Sequence, residues 1–556
     1  MRFTNVRFLR KKEKMAKWFI ALAGLFLVLQ LPVATSKAVE PPNVLFISVD
    51  DWNDWLGCLG NNQAKTPNLD RLASRGTIFR NAHTSAVYCA PSRTSLMTGL
   101  DPLTTGCYYD EPHFAKQNHP ELVDLPLYFK NNGYYVAGGG KLYHHMPGFI
   151  DMRGWDDYFH WNPELKKKGW GLMSWDAPSP LPAFVPSSEL VAKMTGQPRV
   201  EVKTAAKRPK VNSHMEWGPL ENADEDKMAD TICTQWAVDF LDKSYDKPFF
   251  LGFGLYAPHK PNFVPQKYFD LYPLDSISAP QPLEGDLDDL PPKALRKALA
   301  RKKHVDDHVV ELDCRKEAVQ GYLASLSYAD AMVGRVLDAL DKSEHGDNTI
   351  IVLWSDNGYH LGEKFAWAKH SLWERTSNVP FIWAGPGVSK GAVVDTTVSL
   401  LDTYPTLVEL AGLPRKEKLD GISLAPILNA PSNAKDRTVL QTSDAGVFSL
   451  INQQWRYIHH GPGEEELYDL GADPEEHHNL ATNSKYAETI ASFRDRHPKQ
   501  FAPQAMGIKA RNLRPRFTGE TFEWLPWQPQ AKLGNKGKGG RKAKRVGGKA
   551  SKAAQP

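Results

Sequence analysis

The chain has 556 residues, of which 41% are apolar and 24% are charged. These values are ordinary for a soluble globular protein, and one hydrophobic core stops growing at about 250–300 residues. Length and composition therefore argue against a single small domain and predict one large core with a smaller one. The formal charge is +4, but residues 1–38 carry +7 and residues 532–556 carry +9. Subtracting these from the total leaves −12 for the stretch between them, so the folded body is acidic.

Both ends of the chain differ from this body. A basic stretch precedes an apolar run over residues 18–33, and small residues follow at Ala34, Ser36 and Ala38. That run is shorter than the roughly 20 residues of a membrane span, so we predict a signal peptide over residues 1–38. The protein would then be exported to the periplasm or the extracellular space; an uncleaved N-terminal anchor is the alternative. Residues 506–556 form an extension whose basic tail, 532–556, is predicted to be disordered.

Between these ends, buried strands alternate with helices. Apolar runs predict strands at 43–49, 134–137, 249–253, 349–354 and 380–384. Helical spacing and end signals predict helices at 125–131, 225–243, 317–340, within 400–413, and from Pro67 with Thr66 as cap. This alternation predicts an α/β catalytic domain over residues 39–430, with a mostly parallel sheet covered by helices on both faces.

The pattern changes after about residue 430. Short strands at 448–451, 455–458 and 466–469, with a helix near 484–495, predict a small antiparallel α+β subdomain over residues 431–505. Segments 160–222 and 275–312 are rich in proline, tryptophan and charge and receive no assignment. Long loops of this kind are usually functional or disordered.

One of the five cysteines lies in a distinctive segment. The count is odd, so one cysteine cannot pair internally, and the spacing fits no zinc site. In the segment Cys89-Ala90-Pro91-Ser92-Arg93, Pro91 suits the first turn of a helix and Gly99 its exit. Cys89 would then lie at a helix N-terminus beside Arg93, an electropositive place that suits an anion. A buried structural cysteine is the alternative interpretation.

This segment resembles the signature Cys-x-Pro-Ser-Arg, followed by Thr-Gly, of the formylglycine-dependent (type I) sulfatases. The resemblance implies an alkaline-phosphatase/sulfatase-like fold. It also implies that a formylglycine-generating system oxidises Cys89 to formylglycine, whose hydrated aldehyde attacks the sulfur of a sulfate ester. In this interpretation residue 89 is the nucleophile of a sulfuric ester hydrolase.

Carboxylates follow two of the predicted strands. Asp50 and Asp51 end the first strand, and Asp356 and Asn357 follow the strand at 349–354. Ligands of open α/β sheets bind outside such strand ends, and a set of oxygen donors suits calcium or magnesium rather than zinc. Taken singly, these are also ordinary polar turns. The resemblance implies calcium, with residue 89 as a further ligand.

Four more positions match family motifs: Lys141, His144, His259 and Lys369. Alone, each is ambiguous, since a lysine is usually a solvated charge and a lone histidine is usually structural. The resemblance implies that the two lysines stabilise developing negative charge and that Arg93 holds the side chain of residue 89. We assign His259 as general acid and His144 as base as a mechanistic hypothesis, and an exchange of these two roles remains open.

The resemblance covers residues of about 41–500. Within the family it is greatest to the iduronate-2-sulfatase branch, in the stretches 140–144, 269–274, 322–328 and 367–369. Asn357 departs from that branch, which has histidine at the metal, but many other sulfatases have asparagine there. The loops at 104–120 and 160–222 match poorly, so the resemblance fixes the reaction better than the sugar.

The predicted substrate is a sulfated sugar or polysaccharide. The basic tail would bind an anionic surface or be a functionless extension, and no nucleic-acid partner is expected for an exported protein. Two alternatives remain open at this point. One is a choline-sulfatase-like enzyme or a phosphonate or phosphate ester hydrolase of the same superfamily. The other is a catalytically dead, exported polysaccharide-binding protein, in which Cys89 stays a thiol.

Overall fold

The computed structural model describes residues 40–109, 121–144, 151–159 and 217–505, and the backbone of residues 513–518 and 521–526. The predicted signal peptide, the basic tail and most of the unassigned segment 160–222 lie outside this range. None of the described helices is both long enough and apolar enough to cross a membrane.

A large sheet organises the described part of the chain. Across it the strands lie in the order Ala392–Val394, Gly76–Phe79, Phe381–Ala384, Thr349–Ser355, Asn43–Asp50, Phe249–Pro258, Tyr135–Gly140 and Asp157–Tyr158. Neighbours run parallel except around Phe381–Ala384, which is antiparallel to both strands beside it. The predicted mostly parallel sheet is thus confirmed.

Helices cover both faces of this sheet. The described α-helices are Pro67–Ser74, Cys89–Thr98, Pro102–Thr105, Leu125–Asn131, Ala229–Leu241, Gln266–Phe269, Pro292–Arg301, Asp307–Glu311, Arg315–Lys342, Glu374–Ser377, Thr403–Leu410, Ala425–Asn429 and Ala487–Arg494. Side chains alternate along strand Asn43–Asp50, so Leu45, Ile47 and Val49 enter one core and Val44 and Phe46 the other. This strand is buried on both sides, which explains its continuous apolar sequence.

A second, antiparallel sheet lies in the C-terminal region. Its strands are Val439–Asp444, Val447–Ile451, Trp455–Gly461 and Glu464–Asp469, each paired with the next. The helix Ala487–Arg494 packs on it through Ile490 and Phe493. Sequence reasoning predicted the last three strands and the helix but missed Val439–Asp444. Further two-stranded pairings join Trp217–Leu220 to Asn262–Pro265, His360–Leu361 to Trp367–Ala368, Val398–Ser399 to Ala82–His83, and Leu513–Thr518 to Thr521–Pro526.

The structure also bears on the segment 275–312, on the predicted cap at Thr66 and on the cysteines. The unassigned segment 275–312 contains the helix Pro292–Arg301, which was missed because it fully buries only Ala294 and Ala298. Thr66 precedes the helix at Pro67, but its side chain makes no capping hydrogen bond. Its hydroxyl instead accepts from the Gly57 amide at 3.0 Å. All five cysteines are free thiols.

Candidate active site

Two parallel strands bring four oxygen-bearing side chains together. Strands Asn43–Asp50 and Thr349–Ser355 are neighbours, with Val49 opposite Ser355, so the residues that follow them lie side by side. The Asp51 amide donates to Asp356 Oδ1 at 3.1 Å, and Asn357 Nδ2 donates to Asp51 Oδ1 at 2.7 Å. Asp51 adopts a φ of 63°, unusual for a non-glycine residue and typical of strained functional sites.

Cys89 faces this cluster from the first residue of helix Cys89–Thr98. Its Sγ lies 3.6 Å from Asp50 Oδ1 and 3.9 Å from Asp51 Oδ1, and the residue is 1% exposed. The helix ends at Gly99, whose φ of 69° lies in the left-handed region that favours glycine. Burial raises the pKa of the Cys89 thiol well above its ordinary value, and Asp356 raises it further. As a cysteine, residue 89 is therefore protonated and a poor nucleophile.

Arg93 is fully buried one turn after Cys89. Its Nε donates to Asp356 Oδ2 at 2.7 Å, and its Nη1 donates to Ser48 Oγ at 2.7 Å. A further bond runs from Nη2 to the Val49 carbonyl at 3.2 Å. These hydrogen bonds go to the strand ends rather than to Cys89 Sγ, so Arg93 positions the carboxylates directly.

Two buried lysines complete the charge balance. Lys141 follows strand Tyr135–Gly140 and forms an ion pair with Asp50. Lys369 lies 2.5 Å from Asp51 Oδ1 and 2.7 Å from Cys89 Sγ. Burial acts to lower the pKa of Lys369, but the carboxylates of Asp51, Asp50 and Asp356 outweigh it and raise the pKa well above its ordinary value. Lys369 is therefore charged, and it is the cation that touches the candidate nucleophile.

The two histidines contact different parts of the site. His259 Nε2 is 3.6 Å from Asp51 Oδ2, and its Nδ1 lies 2.6 Å from the Lys260 carbonyl, which fixes the proton on Nδ1 in the neutral ring. Burial lowers the pKa of His259 well below its ordinary value. His144 Nε2 lies 3.2 Å from the hydroxyl of Tyr88, the residue before Cys89.

The oxygen donors fit a hard cation such as calcium. Asp50, Asp51, Asp356 and Asn357 are each 0% exposed. Among the described residues, the buried atoms Asp51 Oδ2 and Asn357 Oδ1 have no hydrogen-bond donor. Burial raises the pKa of Asp356 although Arg93 opposes this, and a bound cation would favour the ionised form of this carboxylate. One carboxylate oxygen and one amide oxygen without donors, beside two further carboxylates, are ligands that a calcium ion would use.

The structure thus brings all ten predicted residues to one edge of the large sheet. Among the neighbours of these ten, sequence reasoning missed Tyr88 and His370. The His370 ring stacks on Tyr88 with centroids 4.9 Å apart, and its backbone φ is 74°. Both are chain neighbours of predicted residues, so adjacency to Cys89 and Lys369 is the signal that could have found them.

A second group of possible metal ligands lies in the C-terminal region: His459, Glu465 and His497. The Glu465 carboxylate already accepts from Arg494 Nε at 2.8 Å and from the Tyr457 hydroxyl at 2.7 Å. A cation there would compete with Arg494, so this group does not match the carboxylate cluster at the strand ends.

Comparison with known proteins agrees with this geometry. A family model described as "Sulfatase" matches residues 42–413, and one described as "N-sulphoglucosamine sulphohydrolase, C-terminal" matches residues 362–501. The first spans the large sheet and every predicted site residue. The second spans the loop with Lys369 and the C-terminal sheet.

Individual proteins give the same picture. A protein named "Sulfatase" from Formosa agariphila is 37% identical over 471 residues, covering 83% of this chain and 87% of that protein. Iduronate 2-sulfatase of Mus musculus is 32% identical, covering 71% and 73% of the two chains. The solved phosphonate monoester hydrolase from Silicibacter pomeroyi superposes with a TM-score of 0.64 at 19% identity, over 82% of this chain and 94% of that one. That last likeness concerns the fold alone.

Proposed function

The chain belongs to the sulfatase family and is a sulfuric ester hydrolase, and we propose that it removes sulfate from a saccharide with formylglycine at position 89 and a calcium ion. One observation carries the proposal. Cys89 Sγ lies against Asp50 and Asp51 on one side and 2.7 Å from Lys369 Nζ on the other. A reactive group on residue 89 would therefore face both a cation site and a fixed positive charge.

The formylglycine aldehyde and the calcium ion would supply the nucleophile and the Lewis acid that the unmodified chain lacks. Calcium held by Asp50, Asp51, residue 89, Asp356 and Asn357 would neutralise sulfate oxygens, and the hydrated aldehyde of residue 89 would be the nucleophile. Because burial keeps the Cys89 thiol protonated, the unmodified residue is not suited to this role.

The chain's own residues hold the site ready. Lys369 and Lys141 place positive charge beside residue 89 and Asp50 in a buried site, where charge is screened little by water. Arg93 ties Asp356 to the end of the first strand, which fixes the spacing of the carboxylates.

His259 and His144 are proposed as the proton-transfer pair, with His259 protonating the leaving sugar oxygen and His144 acting as base. To act as acid, His259 would first take up a proton at Nε2, a charged form that burial disfavours and the neighbouring Asp51 favours. His259 is near Asp51, and His144 reaches the Tyr88 hydroxyl next to residue 89. Leaving-group dependence separates the roles. Loss of the general acid should lower turnover of a sugar sulfate far more than that of a nitrophenyl sulfate, whose leaving group needs no proton. If His144→Asn rather than His259→Asn shows this selectivity, the assignment is reversed.

The nucleophile is tested by mass. Protein made with a formylglycine-generating system should give a tryptic peptide about 18 Da lighter at residue 89 than the cysteine form, the change from thiol to aldehyde. Dialysis against a chelator should remove sulfatase activity and calcium should restore it, while Cys89→Ala stays inactive throughout. An unmodified thiol, under conditions that convert a control sulfatase, would refute the formylglycine proposal.

We further propose export directed by residues 1–38. The basic run, apolar run and small residues of this segment support it. N-terminal sequencing of protein recovered outside the cytoplasm should begin near residue 37 or 39. Recovery of the intact N-terminus in a membrane fraction would support the uncleaved anchor instead.

A further inference from the structure

The strand that ends at Pro258 leaves its regular register shortly before His259. Its pairing with the first strand passes from Gly254 opposite Ser48 to Pro258 opposite Asp50, so a step of four residues, 254 to 258, matches a step of two, 48 to 50. Residues 254–258 therefore form a bulge, and bulges beside active sites commonly redirect a side chain. This bulge ends one residue before His259, so its shape sets where the His259 ring lies.

Asp230 holds this bulge through two backbone amides. The Tyr256 amide donates to both carboxylate oxygens at 3.0 Å, and the Ala257 amide donates to Oδ2 at 2.9 Å. Asp230 is 6% exposed and lies in the first turn of the helix Ala229–Leu241. Burial raises its pKa to about 6 against these two hydrogen bonds, so at neutral pH the carboxylate is ionised and can only accept. The bulge is thus tied to that helix.

The bulge also fixes the residues that follow it. The His259 amide donates to the Tyr256 carbonyl at 2.8 Å, which closes a turn between these two residues. This turn brings His259 Nε2 to 3.6 Å from Asp51 Oδ2. Tyr256 therefore contacts Asp230 through its amide and His259 through its carbonyl. The path from Asp230 to His259 runs through the backbone of this one residue.

Asp330 makes the same pattern of hydrogen bonds in another part of the fold. The Asn68 amide donates to its two carboxylate oxygens at 3.1 and 3.2 Å, the Leu69 amide donates to Oδ1 at 2.8 Å, and Asn68 Nδ2 donates to Oδ2 at 2.7 Å. Asp330 is 2% exposed, and burial raises its pKa to about 6 as well. Both amides belong to the helix Pro67–Ser74, which contains none of the ten predicted site residues. Asp330 is therefore a matched carboxylate with a structural role.

We propose that Asp230 is a positioning residue for the reaction and holds the bulge of residues 254–258 in the shape that places His259 for proton transfer. This inference rests on the proposed function and deepens it, because it adds a residue that acts through His259. In Asp230→Asn, the side-chain oxygen can accept from one amide, but Nδ2 would face the other amide, and two donors repel. The bulge should then relax and displace His259. A displacement of about 1 Å near a reacting group can cost about 10²-fold in rate.

Leaving-group dependence measures the effect on His259. Full-length protein with formylglycine at residue 89 is assayed in calcium-containing buffer on phenyl sulfate, whose leaving oxygen is basic, and on nitrophenyl sulfate, whose leaving group needs no proton. In Asp230→Asn, the ratio of phenyl sulfate to nitrophenyl sulfate turnover should fall about tenfold, since a displaced general acid loses part of its contribution. Asp330→Asn should shift the urea midpoint similarly but keep the wild-type ratio. An unchanged ratio in Asp230→Asn, or an equal change in Asp330→Asn, would overturn the proposal.

Combined variants show whether Asp230 acts through His259. In a His259→Asn background, Asp230→Asn should have little further effect on phenyl sulfate turnover, because residues that act as one unit are not additive. A full effect in that background would point to another route, such as Lys141, whose Nζ lies 5.1 Å from the centroid of the Tyr256 ring, and would refute the proposal. Asp230→Glu keeps both acceptor oxygens but moves them by one methylene. It should change the ratio in the same direction and replaces Asp230→Asn if that variant does not fold.

A measurement without turnover keeps this inference separate from the proposed function. Ring signals of isotope-labelled histidines are recorded by NMR, and His259→Asn identifies the signal of His259. That signal should shift in Asp230→Asn and stay in place in Asp330→Asn. An unmoved signal in Asp230→Asn would refute the positioning role alone. Absence of all sulfate-ester turnover in wild-type protein, after conversion of residue 89, would refute the proposed function, while the ring signal would still decide whether Asp230 positions His259.

Discussion

Two buried networks of charge, built from the same residue types, differ in what they surround. In the reaction centre, Asp50, Asp51 and Asp356 pair with Lys141, Lys369 and Arg93. Where loops of the large sheet meet the C-terminal sheet, Arg456 pairs with Glu374 and Glu476, and Lys364 pairs with Asp286. By burial and ion pairing alone, the two networks are alike.

The surroundings of the two networks separate them. Lys364 Nζ lies 5.0 Å from the ring centroid of Trp373 and donates to the Glu476 carbonyl at 2.5 Å, so it is enclosed by packing. Lys369 Nζ instead touches Cys89 Sγ, the atom of the candidate nucleophile. Buried carboxylate oxygens without a donor occur in both networks, so buried charge marks function here only where it surrounds a reactive atom.

The largest expected effect is on the stability of the second network. Arg456→Met leaves Glu374 and Glu476 without their cation, and breaking a buried pair in this way costs about 3–5 kcal/mol of unfolding free energy. Arg456 is 0% exposed and also donates to the Leu372 carbonyl at 2.7 Å. Urea unfolding at constant pH would measure the loss.

Arg494→Met is the control for that measurement. Arg494 pairs with Glu465 at the surface, with 56% of its side chain exposed. Exposed pairs contribute about 1 kcal/mol or less, so its variant should be close to wild type. If both variants lost the same unfolding free energy, burial would not be the reason that the Arg456 ion pairs stabilise the fold.

The next effect is on catalysis. Lys369→Met removes the cation at Cys89, and losing one preorganised charge partner of a transition state costs about 10²–10³-fold in turnover. Its matched control is Lys364→Met, five residues earlier in the same loop, which should lose stability instead. Turnover of nitrophenyl sulfate per folded molecule, in calcium-containing buffer, separates the two. Comparable loss of turnover in both would show that the loop acts as one unit.

The two networks also differ in how far sequence could predict them. The oxygen ligands lie at or directly after the ends of two buried strands: Asp50, Asp51, Asp356 and Asn357. Each strand is a continuous apolar run, so its end can be located in the sequence. The resemblance supplied the other site residues. Glu374, Arg456 and Glu476 come from separated segments of ordinary polarity, and no local pattern indicates that they meet.

The same reason explains why sequence reasoning missed the helix Pro292–Arg301. The helix Pro292–Arg301 fully buries only two alanines, so its apolar periodicity is faint and its charges resemble a solvated surface. Arg301 donates to the carbonyl of His370, a residue 69 positions away in the chain. Such contacts are tertiary and follow from the assembled fold rather than from spacing.

The smallest expected effect concerns Asp101, a buried carboxylate that belongs to neither network. Among the described residues no cation pairs with it, and its Oδ2 has no hydrogen-bond donor. Burial raises the pKa of Asp101 to about 7 from 3.8, although hydrogen bonds from the Leu103 amide and Thr442 oppose this. The folded state therefore binds a proton that the unfolded state has lost between pH 4 and 7. Its contribution weakens the fold as pH rises through that window and levels off above it.

Asp101→Asn keeps an acceptor for the Leu103 amide but cannot ionise. Relative to wild type, its unfolding free energy should therefore rise by about 1–3 kcal/mol between pH 5 and pH 7, since one pKa unit corresponds to about 1.4 kcal/mol. Urea unfolding at several pH values measures this difference, with the exposed Asp395→Asn as control. A difference independent of pH would show that folding leaves the pKa of Asp101 near its ordinary value, and that the fold keeps this carboxylate ionised without a cation.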